Sequence, residues 1–312
     1  MTIGAPARAW THRHLLDVDT LSRQEIERVL DLADEMRAAR ETRAHRSLLE
    51  LETVALAFYE ASTRTRVSFE LAAKALGATV VDLAVERSSA GKGESLVDTL
   101  RTLRRVGATI VVLRHSSSGA PYLAARETDL SIVNAGDGIH AHPTQALLDA
   151  LTLREELGSL DGRLIAIVGD VAHSRVARSN IHALTALGAR VRVGGPPAWV
   201  AGFEDRIGVE VATSLPQALD GADAVMTLRV QSERGAVAGV GSLSDYVRDW
   251  RLDEARMKLA APGAPLLHPG PTNEGVELTA ELANGARSRI GRQVEHGVTV
   301  RMAVLALVAG VA

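Results

Sequence analysis

Thr53-Val-Ala-Leu-Ala-Phe-Tyr-Glu-Ala-Ser-Thr-Arg-Thr-Arg66 is the stretch on which the reading of this chain turns. Residues 53–59 form a short apolar run of strand length, residues 60–66 a polar loop, and 67–76 a helix that stops at Gly77. A strand without alternating polar residues is buried on both faces, and a strand feeding a helix is the repeating unit of an α/β sheet. The alternation continues outward. Helices are predicted over 22–40, with Ser22 as N-cap, and over 96–105; strands are predicted at 79–85, 108–113 and 131–134, the last before the Gly-rich loop Ala135-Gly-Asp-Gly138. One long helix covers 142–157, with Pro143 in its first turn, and there the chain crosses to a second alternation. That alternation has strands at 164–168, 190–193, 224–228 and 266–267 and helices at 176–187 and 216–219. The tail, 294–308, is a helix too rich in Val, Leu and Ala to be solvated.

Bulk properties narrow the function. A chain of 312 residues, 46% hydrophobic, buries one large core or two of ordinary size. A net charge of −3 excludes a general nucleic-acid or membrane-surface binder, so any anion site is local. Cysteine is absent, which removes disulfides, thiolate metal sites and a Cys nucleophile. No apolar window reaches the roughly 18 residues of a membrane span, and residues 1–14 lack a secretory apolar core; a cytoplasmic protein is expected. Only three of the 35 cationic residues are lysines, Lys74, Lys92 and Lys258, so a Lys in a loop is informative here.

Several short motifs carry chemistry. Ser62-Thr63-Arg64-Thr65-Arg66 places three hydroxyls and two guanidiniums at a helix start, where unpaired N–H groups and the helix dipole favour an anion. It reads as a phosphate cradle or as a capped helix with exposed arginines. Ser88-Ser-Ala-Gly-Lys92-Gly93-Glu94 puts an ammonium on a loop that either closes over an anionic ligand or is simply solvated. Arg114-His115 follows an apolar strand, and the carboxyl ends of parallel strands face ligands. His142 and Gln145 share one face of the long helix: a His donates to an oxyanion and a Gln carbonyl accepts from an amide NH2. In the second half Gly169-Asp-Val-Ala-His-Ser-Arg175 runs from strand to helix start, and Arg229-Val-Gln231 follows a strand; two arginines there suit two carboxylates, or are surface residues of an Arg-rich chain. His268-Pro-Gly-Pro271 is a tight turn whose prolines have no N–H, leaving carbonyls to accept. Neither a P-loop nor a dinucleotide Gly-x-Gly-x-x-Gly occurs at these turns.

Seven such motifs in this order, spanning 62–271, resemble the aspartate/ornithine carbamoyltransferase family, on its aspartate side. The resemblance implies an α/β fold of two Rossmann-like parallel-sheet domains joined by interdomain helices, with the C-terminal helix packing back on the first domain. It implies a carbamoyl-phosphate-binding domain over 1–150 with the helix at about 294–312, and an aspartate-binding domain over 151–293. The reaction implied is transfer of a carbamoyl group from carbamoyl phosphate to the amine of L-aspartate, without metal or cofactor, early in pyrimidine (UMP) biosynthesis. Ser62, Thr63, Arg64, Thr65 and Arg114 would hold the phosphate; Thr65, Arg114 and His142 would polarise the carbamoyl oxygen. Gln145 and the carbonyls about Pro269 and Gly270, with Pro271 at the turn, would take the carbamoyl NH2. Arg175, Arg229 and Gln231 would bind the aspartate carboxylates, and Ser88 and Lys92 would come from a neighbouring subunit, so the implied unit is a homotrimer. Regulatory chains or dihydroorotase are the partners such trimers join; nucleic acid and membrane are not implied. The rival acceptor, ornithine, goes with a Cys in a His-Cys-Leu-Pro turn that this chain lacks, and Lys92 would repel a cation. A non-catalytic assembly partner of the same fold is a further alternative. One departure is local: related chains often carry Arg after Pro-x-Asn, where this one has Glu274.

Overall fold

The computed structural model describes residues 10–40, 47–83, 93–203, 205, 208–230 and 241–312; Ser88, Lys92 and Gln231 lie outside the described residues. The elements in chain order are α1 (Arg23–Arg40), β1 (Thr53–Phe58), α2 (Thr63–Ala75), β2 (Thr79–Leu83), α3 (Leu96–Arg105), β3 (Ile110–His115), α4 (Ala120–Glu127), β4 (Ser131–Asp137) and α5 (Pro143–Leu157). They continue with β5 (Leu164–Val168), α6 (Arg175–Ala186), β6 (Arg190–Gly194), α7 (Pro197–Val200), β7 (Val209–Ala212), α8 (Leu215–Leu219), β8 (Ala224–Thr227), α9 (Leu243–Trp250), β9 (Leu266–Leu267), α10 (Ala280–Ala283) and α11 (Ile290–Val308). The chain divides into two compact units: the residues up to Leu148 with His296–Ala312, and Asp149–Glu295.

The first unit is built on a parallel sheet of order β2-β1-β3-β4. Its inner strands are apolar throughout because helices cover both faces: Val54 to Ala57 and Ile110 to Leu113 are all buried. Ala55, Ala57, Val111 and Leu113 pack with Leu100 and Leu103 of α3 and Ala124 of α4. Each leucine so buried is worth about 1.5–3 kcal/mol. Helix α1 begins with a capping box: the Ser22 N–H and hydroxyl each donate to Glu25 Oε2 at 2.8 Å, and the Glu25 N–H returns a bond to Ser22 Oγ at 3.3 Å. The tail of α11 packs within this unit, with the Arg301 guanidinium 5.0 Å over the Phe69 ring.

The second unit has a parallel sheet of order β7-β6-β5-β8-β9. All five residues of β5 are buried, and its Ala166 and Val168 join Trp199, Tyr246 and Trp250 in the core of one face.

The structure moves several predicted boundaries. Helix α2 starts at Thr63, not at 67: Ser62 has the extended dihedrals of an N-cap (φ −162°, ψ 102°), so the hydroxyl-rich run that reads as loop is the first helical turn. Strand β4 runs on to Asp137, taking in most of the expected Gly-rich loop. Helix α4 was not anticipated; its Pro121 reads as a breaker but sits in the first turn, where no N–H is missed. Strand β7 and helix α9 were also not anticipated: a four-residue edge strand and a charged eight-residue helix carry too short a pattern.

Candidate active site

In both sheets the chain winds one way and then the other, and in open α/β sheets ligands bind outside the carboxyl ends of the strands at such a reversal. In the first unit β2 lies on one side of β1 and β3 on the other, so the reversal falls between the ends of β1 and β3. There the Tyr59 N–H donates to the Arg114 carbonyl at 2.8 Å. In the second unit the reversal falls between β5 and β8, where the Leu228 N–H donates to the Val168 carbonyl at 2.8 Å. Ser62 to Thr65 and Arg114 stand at the first reversal and Arg175 and Arg229 at the second, whereas His142 and Gln145 follow the edge strand β4, and Gly270 and Pro271 the edge strand β9.

In the first unit, Ser62 to Thr65 leave the β1 end and Arg114 lies at the β3 end, in register with Phe58. Thr65 is buried, Ser62 is half-buried, and Thr63 and Arg64 are exposed. The helix start is unusually open. Ser95, Ser174, Ser214, Ser242 and Thr279 each cap a helix by accepting a backbone N–H, whereas the Ser62 side chain makes no cap bond. No acidic residue stands in the first turn of α2, so the dipole there is not offset. Arg66 is turned away, its Nη1 bonded to Asp82 at 2.6 Å. Arg114 is mostly buried, with Nε 3.4 Å from Glu60 Oε2 and Nη1 3.4 Å from the Ala135 carbonyl. Burial holds the neighbouring His115 below the ordinary imidazole range, although Glu60 and Asp137 pull it upward. The open N–H groups and hydroxyls of the α2 start and the arginines Arg64 and Arg114 are carried by these two adjoining strand exits, a donor set for a phosphate.

His142 caps α5 and is 4% exposed; its carbonyl accepts from the N–H groups of Gln145 (3.0 Å) and Ala146 (3.2 Å). The residue before it, Ala141, is held by Asp137, to which no sequence motif points. Asp137 is fully buried, and its carboxylate accepts from the Gly119 N–H at 2.7 Å, Asn134 Nδ2 at 2.9 Å and the Ala141 N–H at 3.1 Å. Its own N–H donates to the Ala141 carbonyl at 3.1 Å. One side chain thus pins the end of β4, the start of α4 and the residue before His142. The only sequence signal was an acid inside a Gly-rich run.

In the second unit Arg175 is the first residue of α6 and is 6% exposed, and Ser174 caps that helix through the Ala177 N–H at 3.1 Å. Arg229 follows β8 and is partly buried. The turn after β9 is more specific than its sequence. Pro269 and Pro271 have no N–H, and the Gly270 N–H donates inward to His268 Nδ1 at 2.8 Å. From 269 to 271 the turn therefore offers carbonyls and no free donor, which suits an NH2 group. The Gly270–Pro271 bond is cis. Glu274, the departure noted in the sequence, is exposed.

Comparison with known proteins gives the family. Residues 13–155 match the family description "Aspartate/ornithine carbamoyltransferase, carbamoyl-P binding domain", and residues 161–308 match "Aspartate/ornithine carbamoyltransferase, Asp/Orn binding domain". The aspartate carbamoyltransferase catalytic subunit of Beijerinckia indica subsp. indica is 51% identical over 298 residues, 95% of this chain and 94% of that one. The crystal structure of aspartate transcarbamoylase from Trypanosoma cruzi, in complex with N-(phosphonacetyl)-L-aspartic acid, is 32% identical with a TM-score of 0.86, covering 95% of this chain and 96% of that one. Ornithine carbamoyltransferase from Thermus thermophilus is 29% identical with a TM-score of 0.84, covering 96% of this chain and 99% of that one. Backbone likeness alone does not separate the two acceptors.

Proposed function

Since this chain belongs to the aspartate/ornithine carbamoyltransferase family, we propose that it transfers the carbamoyl group of carbamoyl phosphate to the amine of L-aspartate. The products are N-carbamoyl-L-aspartate and phosphate, and the reaction is an early step of pyrimidine biosynthesis. The observation that carries the reading is the open start of α2 beside Arg114 at the reversal of the first sheet, with two arginines at the reversal of the second.

We assign the phosphate to Ser62, Thr63, Arg64, Thr65 and Arg114. The amine attacks the carbamoyl carbon, a C–N bond forms, and the carbonyl oxygen gains negative charge. The C–O bond to phosphate then breaks and the amine nitrogen loses a proton. Nucleophile and leaving group both belong to substrates, so the protein's share is positioning and charge stabilisation. Thr65, Arg114 and His142 are assigned to the oxyanion. Gln145 and the donor-free turn through Gly270 and Pro271 are assigned to the carbamoyl NH2. Arg175 and Arg229, with Gln231, are assigned to the two carboxylates of aspartate. That pair, the Cys-free turn, and relatives of about 51% identity named for aspartate support aspartate over ornithine. Formation of carbamoyl aspartate, with ornithine as the control acceptor, tests the assignment; citrulline as the sole product would overturn it.

We further propose a cytoplasmic homotrimer in which Ser88 and Lys92 serve a neighbouring subunit's site, able to join regulatory chains or dihydroorotase. Among the described residues no helix is long and apolar enough to cross a membrane. Mixing inactive Lys92→Ala and Arg64→Ala chains tests the sharing of sites. Activity should return on exchange, and none returning after verified exchange would count against it.

A further inference from the structure

Glu277 lies in the interior of the second unit, 0% exposed, and neither the motifs nor the proposed chemistry uses it. A buried carboxylate is costly unless hydrogen bonds hold it. Glu277 Oε1 accepts from the Asn273 N–H at 2.7 Å and lies 3.3 Å from His268 Nε2. The His268 tautomer follows from its other nitrogen. Nδ1 accepts from the Gly270 N–H, so the ring proton is on Nε2 and is donated to Glu277. The Asn273 side-chain amide then donates to the Val230 carbonyl at 3.2 Å, next to Arg229. On the other side, the His268 N–H donates to Gln293 Oε1 at 3.0 Å. Gln293 Nε2 donates to Asp149 Oδ1 at 2.7 Å, and Asp149 Oδ2 accepts from Asn180 Nδ2 at 2.8 Å. Asn180 is on α6, the helix that begins at Arg175. One chain of hydrogen bonds, buried except at Asn273, therefore runs from the Arg175 helix, through the His268-Pro-Gly-Pro turn, to the segment bearing Arg229. Within it Glu277 is the acceptor that joins the turn to the Arg229 side.

We propose that Glu277 is a positioning residue: it sets the turn at 268–271 and, through Asn273, the Arg229 segment, and so controls affinity for the amino-acid substrate. This rests on the carbamoyl-transfer reading above. A residue that only stabilised the fold would lower the amount of folded enzyme without changing the constants of each folded molecule. Positioning predicts a split instead. In Glu277→Ala the KM for aspartate rises by about tenfold or more, the worth of one hydrogen bond to a charged group, while binding of inorganic phosphate, a first-unit property, is unchanged. Glu277→Gln keeps an oxygen for both donors and should restore the KM to within about threefold of wild type, since a neutral acceptor retains part of the bond. Asn273→Ala, at a partly exposed position, removes only the tie to Val230. It should raise the same KM and leave the His268 tautomer as it is, and it decides the question if Glu277→Ala does not fold. Nitrogen-15 NMR of the histidines reads the tautomer directly, with the Nε2–H form expected in wild type and Glu277→Gln.

An unchanged aspartate KM in folded Glu277→Ala or in Asn273→Ala would overturn the proposal. So would a Glu277→Gln enzyme as impaired as Glu277→Ala, or the Nδ1–H tautomer in wild type. The functional reading fails separately, if the wild type does not carbamoylate aspartate. The phosphate and NMR measurements and the KM for whichever amine is the acceptor still score Glu277 in that case.

Discussion

Replacing Asp137 with Asn changes one oxygen to an NH2 at a fully buried site, and its cost follows from the donors already there. The Oδ1 position still accepts from Asn134 Nδ2 (2.9 Å) and from the Ala141 N–H (3.1 Å). The Oδ2 position becomes a donor facing the Gly119 N–H, which stands at 2.7 Å, and facing His140 Nδ1 at 3.1 Å, a contact kept because the imidazole nitrogen accepts in its other tautomer. One hydrogen bond to a charged acceptor, worth about 1.5–3 kcal/mol, is lost and two others become neutral, each weakened by up to about 1 kcal/mol. Removing a buried charge returns part of this. The expected net loss is about 2–3 kcal/mol, which lowers the melting midpoint by about 4–12 °C for a unit of this size. Urea and thermal unfolding measure it, with the exposed Asp161→Asn as a control expected to stay within about 0.5 kcal/mol. Because the same bonds fix the residue before His142, turnover per folded molecule should fall as well. An Asp137→Asn protein no less stable than the control would refute the view that this carboxylate holds the 134–142 segment.

Arg64→Ala and His142→Ala should each lower turnover by about a hundredfold, near 3 kcal/mol, with little effect on unfolding; normal turnover at normal stability would remove both from the assigned chemistry. Arg229→Ala should raise the aspartate KM and leave phosphate binding intact, and equal loss of both would contradict its assignment to the amino acid. For Glu25, burial acts to raise the pKa, but bonds from the Ser22 N–H and hydroxyl and from His12 outweigh it and hold the carboxyl below its ordinary value. The folded chain then binds that proton less readily than the unfolded one. The stabilisation is complete above the ordinary Glu value and is lost as pH falls through the folded-state value. Glu25→Gln should cost about 1 kcal/mol near neutral pH, with the deficit shrinking in acid; a deficit that grows on acidification would reverse the sign argued here.

Much of the candidate site is legible because the residues proposed for it sit in short contiguous motifs. Ser62 to Arg66, His142 to Gln145 and His268 to Pro271 are each one strand exit or helix entry, and local rules of hydroxyls, caps and prolines apply to them directly. The supporting residues were not legible. Asp137 gathers donors from β4, α4 and the approach to α5, and Glu277 joins a turn to a strand exit more than forty residues earlier, at Val230. Neither has a neighbour in sequence that announces the role.

By itself the sequence determined that apolar strands alternate with helices, that cations gather at particular strand exits, and that residues 62–66 have the composition of an anion site. Those are properties of contiguous residues, set by side-chain periodicity and local hydrogen bonding. Only the tertiary structure decided which exits adjoin: β1 beside β3, and β5 beside β8. It also decided that Ser62 leaves its helix start open while Arg66 turns to Asp82. Strand order and buried hydrogen-bond partners depend on contacts between residues far apart in the chain, and those are settled by packing the whole sheet at once.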